Sequence, residues 1–344
     1  MASSQMIYRN LGRSGLKISV IAMGGWASFG DHVDDDVAFD CLKAAYDVGM
    51  NFFDCAEVYA DGKSEIIIGK AIKKFGWKRN DIVVSTKIYW GAAYGDSIVN
   101  NTGLSRKHII EGTLASLDRL QLDYVDLLYC HRPDRETPIE ETVRAMNYLI
   151  NAGRTFYWGT SEWEPEEIAI AHQIADRLGL VGPLMEQPCY NMLDRNRVEK
   201  DYLMLYKQYG LGLTTFSPLE EGILTGKYNN GIPKDSRYAT SKDPGCIERA
   251  KEYEENDKDW LRKISQVKSL EPVAAKLGTE MATLALAWVI SNPNVTCAIT
   301  GASKVEQVSK SLRALDLMPR LTSEVKKEID EILGNKPYGL VPRY

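Results

Sequence analysis

Three short apolar runs in the first 131 residues each finish on a polar side chain, and the spacing of those ends constrains the fold more than any other feature. Asn51-Phe-Phe-Asp54 ends on a carboxylate, Ile82-Val-Val-Ser-Thr-Lys87 on an ammonium and Tyr124-Val-Asp-Leu-Leu-Tyr-Cys-His131 on an imidazole. Each run is β-rich and bounded by polar residues, the signature of a strand buried on both faces. The ends recur after 87 − 54 = 33 and 131 − 87 = 44 residues, about one βα unit, and helical patterns fill the intervals. In a closed parallel barrel all strand ends open on one face, so Asp54, Lys87 and His131 converge there with Tyr59, five positions beyond Asp54.

The rest of the chain keeps the alternation. Met6 to Leu11 and Leu16 to Ile21, joined by Gly12-Arg-Ser-Gly15, read as a hairpin placed to plug one barrel end. Val20 to Trp26 reads as the first buried strand, and Val37, Cys41, Ala44 and Val48 as the inward stripe of the first helix. A second helix spans about Ser64 to Phe75, and a third from Ser105 turns Ile110, Leu114 and Leu117 inward. Thr137-Pro-Ile-Glu140 predicts a capping box with Pro at the first helical position, stopped by a left-handed Gly153. Strands follow at Thr155 to Ser161, Leu184 to Gln187, Gly212 to Ser217 and Val295 to Thr300, with helices over Pro165 to Leu178, Met281 to Ile290, from Ser303, and Ser323 to Leu333. Pro218 to Asp257 is the longest interruption, and a loop of that length reads as a functional lid or as disordered. Eight strand–helix units predict a (β/α)8 barrel of the TIM type, in the α/β class, with an N-terminal hairpin and extra C-terminal helices in one domain over 1–344.

Composition narrows the function. A formal charge of −5 gives no pull toward nucleic acid. The longest apolar run, Met281 to Ile290, is too short to span a bilayer. The start Met1-Ala-Ser-Ser-Gln has no signal-peptide pattern, and Val341-Pro-Arg-Tyr344 is no lipidation signal. Six cysteines without a C-x-x-C pair fit a reducing, cytoplasmic location. Four histidines, His32, His108, His131 and His172, form no metal-binding motif, and no G-x-G-x-x-G or P-loop is present.

Asp54, Tyr59, Lys87 and His131 together suit protonation of an oxygen on which charge develops. A phenol has an ordinary pKa near 10, and an ammonium about 4 Å away is worth roughly 4 kcal/mol, an upper bound that would bring Tyr59 toward neutrality. Asp54 would keep Lys87 charged and aimed, and a neutral His131 would donate to a carbonyl. Acid catalysis alone cannot reduce a ketone, so a hydride-carrying cofactor is implied. Lys87 also suits Schiff-base chemistry, and each residue singly is common in structural roles.

The same residues resemble the aldo-keto reductases, closest to the β-subunits of voltage-gated potassium channels. The resemblance rests on Leu11-Gly-Arg-Ser-Gly-Leu16, Asp54-Cys-Ala-Glu-Val-Tyr-Ala60, Gly103 to Glu111, Arg132-Pro-Asp134, Glu140 to Met146, Tyr157-Trp-Gly-Thr-Ser161, Gly226-Lys-Tyr228 and Ile332 to Tyr338. It implies an NADPH-dependent reductase whose catalytic tetrad is Asp54, Tyr59, Lys87 and His131, with Tyr59 the acid. The cofactor would lie along Gly25, Trp26 and Asp54, with Ser161 and Gln187 holding its carboxamide and Phe216 stacked on the nicotinamide. Ser217, Pro218, Leu219, Lys227 and Arg237 would follow the diphosphate. Gly301, Ser303 and Gln307 would take the 2′-phosphate at a helix start, near Ser311. The resemblance also implies a homotetramer docked on a channel α-subunit, a regulatory role in which the bound nucleotide reports redox state, and a peripheral place at the membrane. His131 stands where channel subunits usually carry Asn, which favours turnover. Glu162 replaces Arg or Asn, Phe216 replaces Trp or Tyr, and Lys310 and Ser311 replace Glu and Asn. A chain that starts at the hairpin is not expected to block a pore. The carbonyl specificity would come from loops such as Trp90 to Asn101.

Overall fold

The computed structural model describes residues 5–26, 29–30, 34–91, 99–241, 244–255 and 257–338. Strands β1 (Tyr8–Asn10) and β2 (Lys17–Ser19) form an antiparallel hairpin. Eight parallel strands then close a barrel: β3 (Ile21–Gly24), β4 (Phe52–Asp54), β5 (Val83–Ile88), β6 (Val125–Cys130), β7 (Thr155–Thr160), β8 (Met185–Glu186), β9 (Gly212–Thr215) and β10 (Val295–Thr300), with β10 pairing β3. Around them run α1 (Asp35–Asp47), α2 (Lys63–Phe75), α3 (Arg106–Leu120), α4 (Ile139–Asn151), α5 (Pro165–Leu178) and α6 (Leu203–Tyr209). The last third carries α7 (Arg237–Thr240), α8 (Pro244–Glu254), α9 (Lys258–Lys276), α10 (Met281–Ile290), α11 (Val305–Ser311), α12 (Arg313–Leu317) and α13 (Ser323–Leu333).

The hairpin plugs the end of the barrel where the strands begin. Leu11 and Ile18, both fully buried, pack into the interior layer formed by Ala22, Phe52, Val83, Leu127, Tyr129, Met185, Cys297 and Ile299. Gly12 makes this approach possible, because its φ is +52° and a Cβ there would meet the Gly210 carbonyl at 2.7 Å. Arg9 Nη1 and Nη2 donate to the Val295 and Ile290 carbonyls.

Several helix expectations shift by a residue. The buried stripe of α1 is Ala38, Cys41, Leu42 and Ala45; Cys41 holds, Ala44 and Val48 pack half-buried against the core, and Val37 is exposed. Neighbouring alanines at 44 and 45 made two stripes available, and the one with small Ala38 beside the barrel is the one used. On α3 Leu117 is buried and Ile110 packs half-buried against the core, but Leu114 is exposed and Ile109 is the fully buried isoleucine. The capping box at Thr137 does not form. Pro138 is the N-cap, Thr137 Oγ1 donates to Asp134 Oδ2 (2.7 Å), and Glu140 reaches Arg144 and Arg177. Gly153 does take the left-handed conformation, at φ +67°. The stretch read as loop from Pro218 to Asp257 contains a 3-10 turn (Glu220–Thr225), α7 and α8.

Among the described residues no single helix is long and apolar enough to cross a membrane; α9 and α10 qualify only as a pair bent by 89°. The centre of the Trp90 to Asn101 segment and both chain ends, with their sequence readings, lie outside the described residues.

Candidate active site

Parallel register brings the polar strand ends to one mouth. Asp54 pairs with Ser85, and Lys87 with Tyr129, so the carboxylate and the lysine lie on neighbouring strands with side chains directed inward. Lys87 is fully buried. Its Nζ donates to Asp54 Oδ2 (2.6 Å), the Cys55 carbonyl (2.8 Å) and Tyr59 Oη (3.0 Å), which uses all three ammonium hydrogens. Asp54 Oδ1 accepts from Ser85 Oγ (2.7 Å) and Gln187 Nε2 (3.1 Å).

Tyr59 is held by a turn of three successive left-handed residues, Ala60 (φ 50°), Asp61 (φ 53°) and Gly62 (φ 82°), that reverses the chain into α2. Non-glycine residues in that region cost roughly 1–2 kcal/mol each, so the turn persists only because its surroundings fix it. Tyr59 Oη accepts from the lysine, and among the described residues nothing accepts its proton. The O–H is therefore free to donate into the mouth. His131 follows β6, with its ring edge-on to Tyr59 at 5.6 Å and to Trp90 at 4.6 Å between centroids.

Burial, then Lys87, then Arg132 hold the His131 imidazole well below its ordinary pKa, so the ring is neutral. Its Nδ1 is buried without a partner. We assign the proton to Nε2, because an orphaned N–H is costlier than an orphaned acceptor. Lys87 stays an ammonium: burial opposes its charge, but Asp54 and Tyr59 raise its pKa overall. Such a lysine has no free amine for Schiff-base chemistry. Tyr59 departs from expectation, since burial raises its pKa above 10.0 despite the opposing pull of Lys87. Burial is the largest cause, and geometry weakens the opposing pull. Asp54 lies closer to the ammonium than the phenol does, so the phenol faces a nearly neutralised pair while bearing its full desolvation cost.

Most of the other expected residues lie just past a strand end or in the stretch after β9, while Gln307 and Ser311 lie on α11. Gly25 is buried, its amide donates to the Asp54 carbonyl, and a Cβ there would meet Ser64 Oγ at 2.1 Å. Arg237 lies 5.1 Å from the Trp26 ring. Ser161 Oγ donates to the Gln187 carbonyl (2.8 Å) and accepts from Arg132 Nη1 (3.2 Å). Arg132 stands between the Trp90 ring (5.1 Å) and the Phe216 ring (6.0 Å). The loop from Ser217 through buried Pro218 to half-buried Leu219 is tied down by Asn191, whose Nδ2 donates to the Ser217 carbonyl and Glu220.

Those residues fit an anionic cofactor on the loop side. Lys227 and Arg237 make no ion pair with a carboxylate among the described residues, and Lys227 is pushed down to about 8, first by the protein packed around it and then by Arg237. Lys227 keeps an exposed side all the same, so Arg237 is the firmer of the two causes. Positive charge of this kind, offset only in part by Asp235, suits a diphosphate. The far end differs: Gly301 is exposed, Gln307 Oε1 accepts from the Ser303 and Lys304 amides, and Ser311 Oγ donates to the Val308 carbonyl. Without ligand those two amides are already used.

Sequence reasoning missed Ser85 as a donor to Asp54, and missed Arg132 as the cation that helps keep His131 neutral. Ser85 lies two residues before Lys87 on the same inward face, a period-2 signal that was available.

A family profile described as "Aldo/keto reductase family" matches residues 20–334. A protein of Arabidopsis thaliana named "Probable voltage-gated potassium channel subunit beta" is 52% identical over 333 residues, 96% of this chain and 98% of that protein. One of the same name from Oryza sativa subsp. japonica is 51% identical over the same shares. A "Putative voltage-gated potassium channel subunit beta" of Schizosaccharomyces pombe is 47% identical over 96% of this chain and 94% of its own length.

Proposed function

Because this chain belongs to the aldo/keto reductase family, we propose that it reduces aldehydes or ketones to alcohols with NADPH, using Tyr59 as the acid. The observation that carries this reading is the Lys87 ammonium bonded at once to Asp54 and to the oxygen of a phenol whose proton has no acceptor among the described residues. Bound NADPH supplies the hydride that a carbonyl carbon requires and that no side chain offers. Lys227 and Arg237 would hold its diphosphate, and Phe216 and Ser161 its nicotinamide end.

His131, neutral, donates a hydrogen bond to the substrate oxygen and fixes its direction. Tyr59 gives that oxygen a proton as negative charge grows there. Lys87 matters most once the proton has left, because the phenolate then gains a charged partner at 3.0 Å. The raised pKa of the phenol keeps the proton on Tyr59 until that moment. The test is NADPH oxidation by the purified chain with a panel of small aldehydes; no rate above that of Tyr59→Phe would overturn the reading.

A second reading is favoured by the names of the relatives, identical at 47–52% over 96% of this chain. In it the chain is a cytoplasmic regulatory β-subunit, a homotetramer carried to the membrane by a potassium channel α-subunit, whose bound NADP(H) reports redox state. The two readings are compatible in one protein. Failure of the tagged chain to retain any potassium channel from solubilised native membranes would sink the second.

A further inference from the structure

Glu57 is a buried carboxylate that the reaction above does not use, 1% exposed and placed between Asp54 and Tyr59. Its Oε1 accepts from the amides of Tyr89 (2.7 Å) and Gly91 (2.8 Å), one on each side of Trp90. Its Oε2 faces His108 Nε2 at 3.4 Å. His108 is itself 2% exposed, and its Nδ1 lies 2.8 Å from the Gly103 carbonyl. The Gly103 amide donates back to the Tyr89 carbonyl at 2.7 Å. A Cβ on Gly112 would meet Glu57 Oε2 at 3.0 Å and His108 Nε2 at 3.2 Å, so α3 carries a glycine where the pair sits.

Both ring nitrogens of His108 face acceptors. A carbonyl demands N–H on Nδ1, which leaves Nε2 facing a carboxylate at 3.4 Å without a hydrogen bond to it, a contact that favours the doubly protonated ring. The charged groups around it are Glu57 from the turn after β4 and Glu111 on its own helix, and although burial opposes the charge they raise its pKa above 6.5. Glu57 thus has a cationic support on one oxygen and two peptide donors on the other.

What the two peptides hold between them is the Trp90 indole. It packs edge-on against His131 at 4.6 Å and beneath the Arg132 guanidinium at 5.1 Å, with 40% of the residue exposed at the mouth. We propose that Glu57 is a positioning residue for carbonyl binding: backed by His108, it fixes the backbone on both sides of Trp90 and so sets the indole as the wall against which His131 and an aryl aldehyde pack. This rests on the carbonyl-reductase reading, but its physical core, the grip on Trp90, does not.

The test uses the full chain with Glu57→Leu, which has no acceptor, and Glu57→Gln, whose amide oxygen still accepts. Hydrogen exchange at the Tyr89 and Gly91 amides is expected to speed up about tenfold in Glu57→Gln, where neutral bonds replace charge-assisted ones, and about a hundredfold in Glu57→Leu. The fluorine resonance of 5-fluorotryptophan at position 90, assigned with Trp90→Phe, moves in the same order. KM for an aryl aldehyde rises about tenfold in Glu57→Leu, more than for a short aliphatic one, while kcat changes less and NADPH affinity holds; displacements of about 1 Å are costly in such sites. Unchanged exchange and an unchanged Trp90 resonance in either folded variant overturn the proposal, as does a fall in kcat with no change in the aryl-to-aliphatic KM ratio. Should Glu57→Leu not fold, Glu57→Gln decides alone by the same criteria. If the wild-type chain turns over no aldehyde, the carbonyl reading fails, and exchange and fluorine still judge the grip.

Discussion

Replacing Lys87 by Met separates the electrostatic role of the ammonium from its structural one. At the observed 3.0 Å to Tyr59 Oη, and with an effective dielectric of 20, its attraction for a full phenolate is about 5.5 kcal/mol, four decades in rate as an upper bound. A proton half transferred in the transition state would feel about half of that, so kcat should fall by roughly 10²- to 10⁴-fold. The substitution also strands Asp54, which keeps only the Ser85 and Gln187 donors in a nearly closed site. Removing one partner of a buried pair costs about 3–5 kcal/mol, so a lower rate alone would be ambiguous. The double variant Asp54→Asn/Lys87→Met removes both charges together, and should recover most of the stability while leaving the rate low. Single-turnover NADPH oxidation at saturating aldehyde, run beside thermal unfolding, measures both quantities. A Lys87→Met enzyme within tenfold of wild type, or a double variant that regains rate along with stability, would refute the electrostatic argument.

Three further outcomes follow from groups whose environment is unusual. His131 has a folded pKa well below 6.5, so its contribution to stability is fully present above 6.5 and lost as pH falls; urea midpoints should drop between pH 7 and pH 5 by less in His131→Asn than in wild type, the slope per group reaching about 1.4 kcal/mol per pH unit. Glu186, fully buried and pushed up to about 8 first by burial, contributes stability that is present below 4.5 and lost as pH rises through 8. Glu186→Gln should therefore melt above wild type at pH 8.5, by up to about 4 kcal/mol at 25 °C, with the gap closing toward pH 5; a gap independent of pH would count against the assignment. Gly69 lies in the middle of α2, where Ala is ordinarily better by about 1 kcal/mol, but a Cβ there would stand 2.1 Å from the Leu120 carbonyl. Gly69→Ala should lower stability by roughly 1–3 kcal/mol in denaturant titration, and a stabilised variant would show that α2 and α3 can part.

The barrel was legible because its strands carry their polar residue at the end that opens outward, so Asp54, Lys87 and His131 marked three strands before any coordinate was known. β10, α5 and α13 fall at their predicted boundaries. What hid elsewhere had local causes. The 19-residue α9 has Pro272 inside it and went unread, although the Asp257 cap, accepting from the Asp259 and Trp260 amides, marks its start. Six residues from 218 to 244 are glycine or proline that punctuate without breaking, so α7 and α8 read as loop. At the site, residue identities gave the partners but not the sign of the Tyr59 shift. That sign is set first by how deeply the phenol is buried, which no spacing in a sequence encodes.

The stopper formed by the first hairpin has a consequence for how the protein is made. Arg9 finds its carbonyl acceptors at Ile290 and Val295, 281 and 286 residues away, and Gly12 nestles against Gly210 and Gly212. A chain emerging from the ribosome therefore exposes its earliest segment for nearly the whole of synthesis, at about 5–20 residues per second. Until the last strand arrives, Leu11 and Ile18 are loose apolar ends in search of a hole that does not yet exist. The hairpin is therefore among the last parts to settle, and the length of its exposed interval scales with translation time.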